Sequence, residues 1–145
     1  NFLGWLVRLS GAPMSSGATA TTTITLPALN ATADPASAGP GSDPNTPNNL
    51  GTEYVFFLPT AATAVKVITA ASNFLLGGVG LSVADSASSN FTANGTTIRS
   101  INLNGTTTGG IVGSFFTITA ITSTQWLVQG ELIGSSTLST PFLTT

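Results

Sequence analysis

The chain has no histidine and no cysteine, and charged side chains make up only 6% of its 145 residues. Without histidine, the commonest general base, metal ligand and near-neutral pH switch are all missing. Without cysteine, disulfides and thiolate metal sites are excluded, and the redox compartment leaves no trace. Ordinary soluble domains carry about 25% charged residues, so this surface must be hydrated by Thr, Ser, Asn and Gly instead. Such a surface repels neighbours weakly. It suits a subunit covered by other subunits; a secreted domain with a hydroxyl-rich skin is the plainer reading.

The three cations, Arg8, Lys66 and Arg99, are far apart in sequence, and the formal net charge is −2. A nucleic-acid footprint needs clustered Lys and Arg, so no nucleic-acid partner is expected. The apolar stretch Phe2 to Leu9 is interrupted by Arg8 and is less than half the length of a membrane span, about 20 residues. No membrane span is therefore expected.

What remains is strand chemistry. Hydrophobic residues make up 41% of the chain, enough for one packed domain. Ala20 to Leu26, closed by Pro27, is rich in Thr around Ile24, residue types that favour a strand. Residues 30–52 hold four prolines and three glycines without apolar periodicity and read as a long loop. In Glu53 to Leu58, Tyr54, Phe56 and Leu58 alternate with Val55 and Phe57, which predicts a strand buried on both faces. Ala64 to Ala70 is a β-branched run. Phe74 to Leu76 meets Gly77-Gly78, expected to turn or bulge, and Leu81 to Val83 is a short strand at best.

Residues 84–96 are rich in Ser, Asn and Ala and read as loop. Thr97 to Leu103 leads into Asn104-Gly105, a hairpin signal. Gly113 to Ile121, a turn at Thr122 to Thr124, and Gln125 to Gln129 form an expected antiparallel hairpin ended by Gly130. No amphipathic helix pattern stands out. The fold expected is all-β, an antiparallel β-sandwich or jelly-roll-like barrel with a long Pro/Gly-rich loop and extended terminal arms. The expected division is an N-terminal arm over 1–23, a β-domain over 24–131, and a C-terminal arm over 132–145.

Chemistry-bearing groups are sparse. The acids are Asp34, Asp43, Glu53, Asp85 and Glu131. A glycosidase needs two carboxylates about 5 to 10 Å apart. Glu53 and Glu131 flank strands, but solubilising edge residues fit them better. A Ser-Lys dyad would need Lys66, which sits in a β-branched run where a snorkelling lysine is expected. No Asp-x-Asp calcium pattern occurs, and Gly77-Gly-Val-Gly80 lacks the Gly-Lys-Ser/Thr of a phosphate loop. Asn30, Asn90, Asn94 and Asn104 begin glycosylation sequons, a number that this Asn and Thr content produces by chance. Tyr54, Trp5 and Trp126 could stack on a sugar, but Trp126 stands in a strand beside Leu127 and Val128, where core or interface packing is the better reading. No catalytic residue, no metal and no cofactor is therefore expected.

One set of residues carries a resemblance. Thr25-Leu26-Pro27 is followed after the variable loop by Gly51-Thr-Glu-Tyr54-Val-Phe56. Then come Val67-Ile68-Thr69, Gly77-Gly78, Ile101-Asn-Leu-Asn-Gly105, Gly113-Ser-Phe-Phe-Thr-Ile and Thr124-Gln-Trp126-Leu-Val-Gln-Gly130. This order resembles a β-rich module of tailed-phage virion proteins over residues 24–130. The chain departs from it in the length of loop 30–52, and in Thr122-Ser-Thr124 where Asp-Gly-Thr often precedes the Trp. The resemblance implies a capsid decoration (cement) protein at the virion surface, or a fibre or spike module, often trimeric. Its implied partners are copies of itself and the major capsid or other virion proteins.

In that role the binding would come from buried apolar area and exchanged arms. The expected contacts are Phe2, Leu3, Trp5, Leu6, Val7 and Leu9 at one end, and Leu138, Pro141, Phe142 and Leu143 at the other. The alternatives are a receptor-binding fibre or spike module, with Tyr54 and Trp126 on a glycan, and a pilin-like subunit of a cell-surface filament.

Overall fold

The computed structural model describes residues 5–8, as backbone, and residues 22–31, 49–59, 61–83 and 86–145. Every regular element among them is a strand: β1 (Trp5–Arg8), β2 (Thr22–Thr25), β3 (Glu53–Phe57), β4 (Val65–Ile68), β5 (Phe74–Val83), β6 (Ala87–Asn94), β7 (Ser100–Leu103), β8 (Phe115–Ala120), β9 (Gln125–Gly134) and β10 (Phe142–Leu143). They form a six-stranded sheet in the order β1-β3-β8-β9-β5-β6 and a four-stranded sheet in the order β10-β7-β4-β2. The all-β expectation holds.

The two sheets share one apolar cluster. Phe56, Ile118, Trp126 and Val128 enter it from the large sheet; Val65, Val67, Ile101 and Leu103 enter from the small one. Period-two alternation places these side chains inward and their neighbours outward. The arrangement is sandwich-like. Among the described residues the sheets do not close into a barrel, because the edge strands β1, β6, β10 and β2 each pair on one side only.

The purely antiparallel expectation fails. β1 runs parallel to β3, β2 to β4, and β5 to β9. Between β2 and β4 the chain passes through β3 in the opposite sheet, and such a crossover returns a strand in the same direction. The hairpin of β8 and β9 is as expected, with Ala120 opposite Trp126 across the turn.

Several boundaries move. β5 does not stop at Gly77-Gly78 but runs through to Val83 between two partners. Residues 87–94, read as loop, form edge strand β6, because pairing with β5 supplies the backbone bonds that Ser and Asn side chains do not favour by themselves. β9 likewise passes Gly130, where any side chain would collide with the backbone of Phe115 and Phe116. Glycine here permits close strand approach instead of ending the strand.

The C-terminal arm expected from residue 132 is also displaced. Leu132 is fully buried within β9, and Phe142 is buried where β10 pairs antiparallel with β7. Of the long loop, the two ends are described, and they are tied together. Asn49 N donates to Asn30 O at 3.0 Å, Asn30 N to Asn49 Oδ1 at 2.8 Å, and Asn49 Nδ2 to Ala28 O at 2.8 Å.

Candidate assembly surface

β3 turns Tyr54, Phe56 and Leu58 toward the core, so Val55 and Phe57 point to the outer face. On β8, Phe116, Ile118 and Ala120 are buried, so Phe115 points out. The β3–β8 register sets Phe57 directly opposite Phe115. Both are exposed, at 43% and 46%. Val112, 53% exposed, stands in the turn beside them. That turn is pinned by Gly113 N donating to Leu58 O at 3.0 Å and by Ile111 N donating to Ile133 O at 3.0 Å. The result is an exposed apolar patch at one end of the large sheet. The expectation that β3 is buried on both faces is corrected at Phe57.

The same row continues across the sheet. Glu131 lies opposite Phe115, Gly80 opposite Glu131, and Asn90 opposite Gly80. The next outward row reads Val55, Thr117, Gln129, Gly78 and Thr92.

Tyr54 and Trp126, the possible glycan contacts, lie elsewhere, and Trp126 takes the packed position that its strand favours. Trp126 is fully buried, and its indole Nε1 has no hydrogen-bond partner. The half-buried Tyr54 leans on it, with ring centroids 5.8 Å apart and planes at 47°. This pair packs the core and offers no open ring face at Trp126, because inward alternation on β9 aims that side chain between the sheets.

Of the expected assembly contacts, Phe2, Leu3 and Leu9 lie outside the described residues. Trp5, Leu6 and Val7 lie on β1, whose backbone adds a parallel strand beside β3. Leu138 packs partly against the core, and Pro141 and Phe142 are buried within their own chain. Leu143 is 47% exposed. Within its own chain the C-terminal stretch is a stitched edge of the small sheet: Asn102 N donates to Pro141 O, and Arg99 N to Leu143 O.

Phe57, Phe115 and Val112 escaped the sequence reading. Their signal was the doubled aromatics Phe56-Phe57 and Phe115-Phe116, since one member of each pair must face away from the core in a strand.

The carboxylates do not converge. Glu53 pairs in register with Thr119 and accepts a hydrogen bond from its hydroxyl at 3.2 Å. Glu131 lies in the Phe115 row. Thr119 and Phe115 are four positions apart on β8, so the two rows are separated by about 14 Å along the strands. Among the described residues no group of three His, Cys, Asp or Glu could hold a metal ion. An open cavity of about 490 Å³ lies where the β5–β6 hairpin meets residues 135–138, between Val83 and Leu138. No helix of the described chain is long and apolar enough to cross a membrane.

Comparison with protein-family models, with curated proteins and with solved structures finds no match, so the functional reading rests on the chain's own residues.

Proposed function

We propose that the chain is a non-enzymatic structural subunit of a larger assembly: a homo-oligomeric decoration, or cement, component at a virion surface. The observation that carries this reading is the exposed Phe57–Phe115 pair with Val112 beside it. Large aromatic side chains opposed on an outer sheet face leave apolar area that gains free energy when covered. The scarcity of charge supports the same reading, because little electrostatic repulsion opposes contact between copies. The order of strand and turn motifs, which resembles tailed-phage virion modules, supports a virion as the assembly. The separation of Glu53 from Glu131 and the lack of histidine support a role without catalysis.

Sedimentation equilibrium on the full chain tests the oligomer. A discrete oligomer, with a trimer expected, should dissociate in the Phe57→Ser/Phe115→Ser variant. A chain that stays monomeric at every concentration refutes self-assembly. Antibody labelling of intact virions tests location: label on the shell exterior supports decoration, label confined to the tail supports the fibre or spike alternative, and unlabelled virions refute the virion role.

A further inference from the structure

We infer that two copies of the chain pair face to face about a two-fold axis running along the strands between Phe57 and Phe115, with Arg8 of each copy set over Glu131 of the other. The inference rests on the reading that this patch binds a second copy, and it fixes the geometry of that contact. It joins copies in twos, where the resemblance by itself favours three. In register, Arg8 lies beside Phe57, Phe57 opposite Phe115, and Phe115 opposite Glu131. Positions paired in register lie on one face of a sheet. One row of the outer face therefore reads cation, aromatic, aromatic, anion across β1, β3, β8 and β9. Strands lie about 4.8 Å apart, so the two charged positions stand about 14 Å apart, evenly placed about the midpoint of the aromatic pair.

The order of this row makes it self-complementary. Two sheets that pack on each other turn these faces together, about 10 Å apart. A two-fold axis between them and parallel to the strands reverses the order of the row. Phe57 then meets Phe115 of the other copy, Arg8 meets Glu131, and each contact occurs twice. A two-fold axis along the row itself would set Arg8 over Arg8 and Glu131 over Glu131, so the charge pattern selects the first axis. The remaining charge on the described strands of the large sheet, Glu53, falls over Thr119 in this arrangement and meets no like charge.

Glu131 is available for the contact. It is exposed, and its carboxylate makes no hydrogen bond or ion pair among the described residues. It leans over Gly80, which has no side chain to cover it. An unrelated apolar partner would cover the rings but leave two opposite charges at a fixed spacing unanswered; a second copy answers both. The shared footprint is four strands wide and about five residues long, roughly 19 Å by 17 Å. That is small beside a standard interface, so the dimer is expected to be weak and reversible, with the two ion pairs contributing a large share of its specificity.

Sedimentation equilibrium of the full chain in low salt, over roughly 1 to 500 µM, tests this. A reversible monomer–dimer equilibrium is expected. Glu131→Arg and Arg8→Glu should each weaken it by about tenfold, since like charges then face each other twice. The double variant Arg8→Glu/Glu131→Arg reverses the row and should restore the parent affinity. Where a charge reversal does not fold, the neutral pair decides: Glu131→Gln weakens association, and adding Arg8→Gln to it costs nothing further. Lys66→Gln, on the other sheet, should change nothing. A trimer overturns the two-fold pairing alone and leaves self-assembly standing. So does a dimer that Glu131→Arg leaves unchanged, or one that the double variant does not restore. A chain that is monomeric at every concentration overturns both readings.

Discussion

Phe56 and Phe116 face each other across β3 and β8, with their rings stacked at a centroid distance of 4.7 Å and an interplanar angle of 9°. Both are fully buried. One residue further along, in the same register, Phe57 faces Phe115 on the opposite side of the sheet. Two adjacent aromatic pairs thus divide the work of core and surface. Phe116→Ala should cost about 3–5 kcal/mol through lost burial and the cavity left behind. Phe115→Ala should change monomer stability by less than about 1 kcal/mol, since its ring is half in solvent. Chemical denaturation midpoints of the two variants check the contrast.

Trp126 should report a dry environment. Its side chain is fully buried and its Nε1 lacks a partner. In a Trp5→Phe background the remaining tryptophan should emit well to the blue of free tryptophan in water and resist acrylamide quenching. Emission like that of the free amino acid would contradict the burial.

Two glycines on neighbouring strands should respond differently. At Gly130 a side chain would strike the backbone of Phe115 and the Phe116 Cβ, so the strands themselves would have to separate. Gly130→Ala should therefore cost about 1–3 kcal/mol, the usual range for overpacking. At Gly80 the obstacle is the carboxylate end of Glu131, which can swing away. Gly80→Ala should stay within about 0.5 kcal/mol of the parent. Thermal unfolding of both variants tests the order.

The two Asn-Gly turns should resist deamidation while the chain is folded. Deamidation requires the backbone nitrogen after Asn to attack the side-chain carbonyl carbon. Gly95 N is engaged with Leu75 O at 2.8 Å, and Gly105 N with Gly109 O at 2.8 Å. The Asn94 carbonyl accepts from Thr96 N and Thr97 N, and the Asn104 carbonyl from Thr106 N and Thr108 N. Peptide mass spectrometry should find slow conversion in buffer and faster conversion in denaturant. Equal rates would show that these turns open freely. Asn104→Ala leaves those amides without their acceptor and should cost about 1 kcal/mol.

Much of the strand content was legible because Val, Ile, Thr and aromatic runs mark it locally. The β8–β9 hairpin was legible as well, since its turn is short and its partners are adjacent in sequence. The parallel pairings were not. Side-chain alternation says which residues share a face but is silent on which distant strand lies alongside, or in which direction. Strand β6 was hidden for a related reason: its Ser and Asn residues become a strand only because β5 offers backbone partners. The exposed aromatic patch was less legible still. Both strands of the patch carry consecutive aromatics, and nothing local tells which member faces out.

Composition alone therefore determined what the protein is built from and what it lacks: β-forming residues, few charges and no histidine or cysteine, so chemistry that needs those groups was excluded at once. The tertiary structure decided where each aromatic went. It buried Trp126 and Phe142, turned Phe57 and Phe115 outward, and set Gly78 and Gly80 between two polar columns. The reason is that exposure is a property of strand register and sheet packing, and these join residues up to dozens of positions apart.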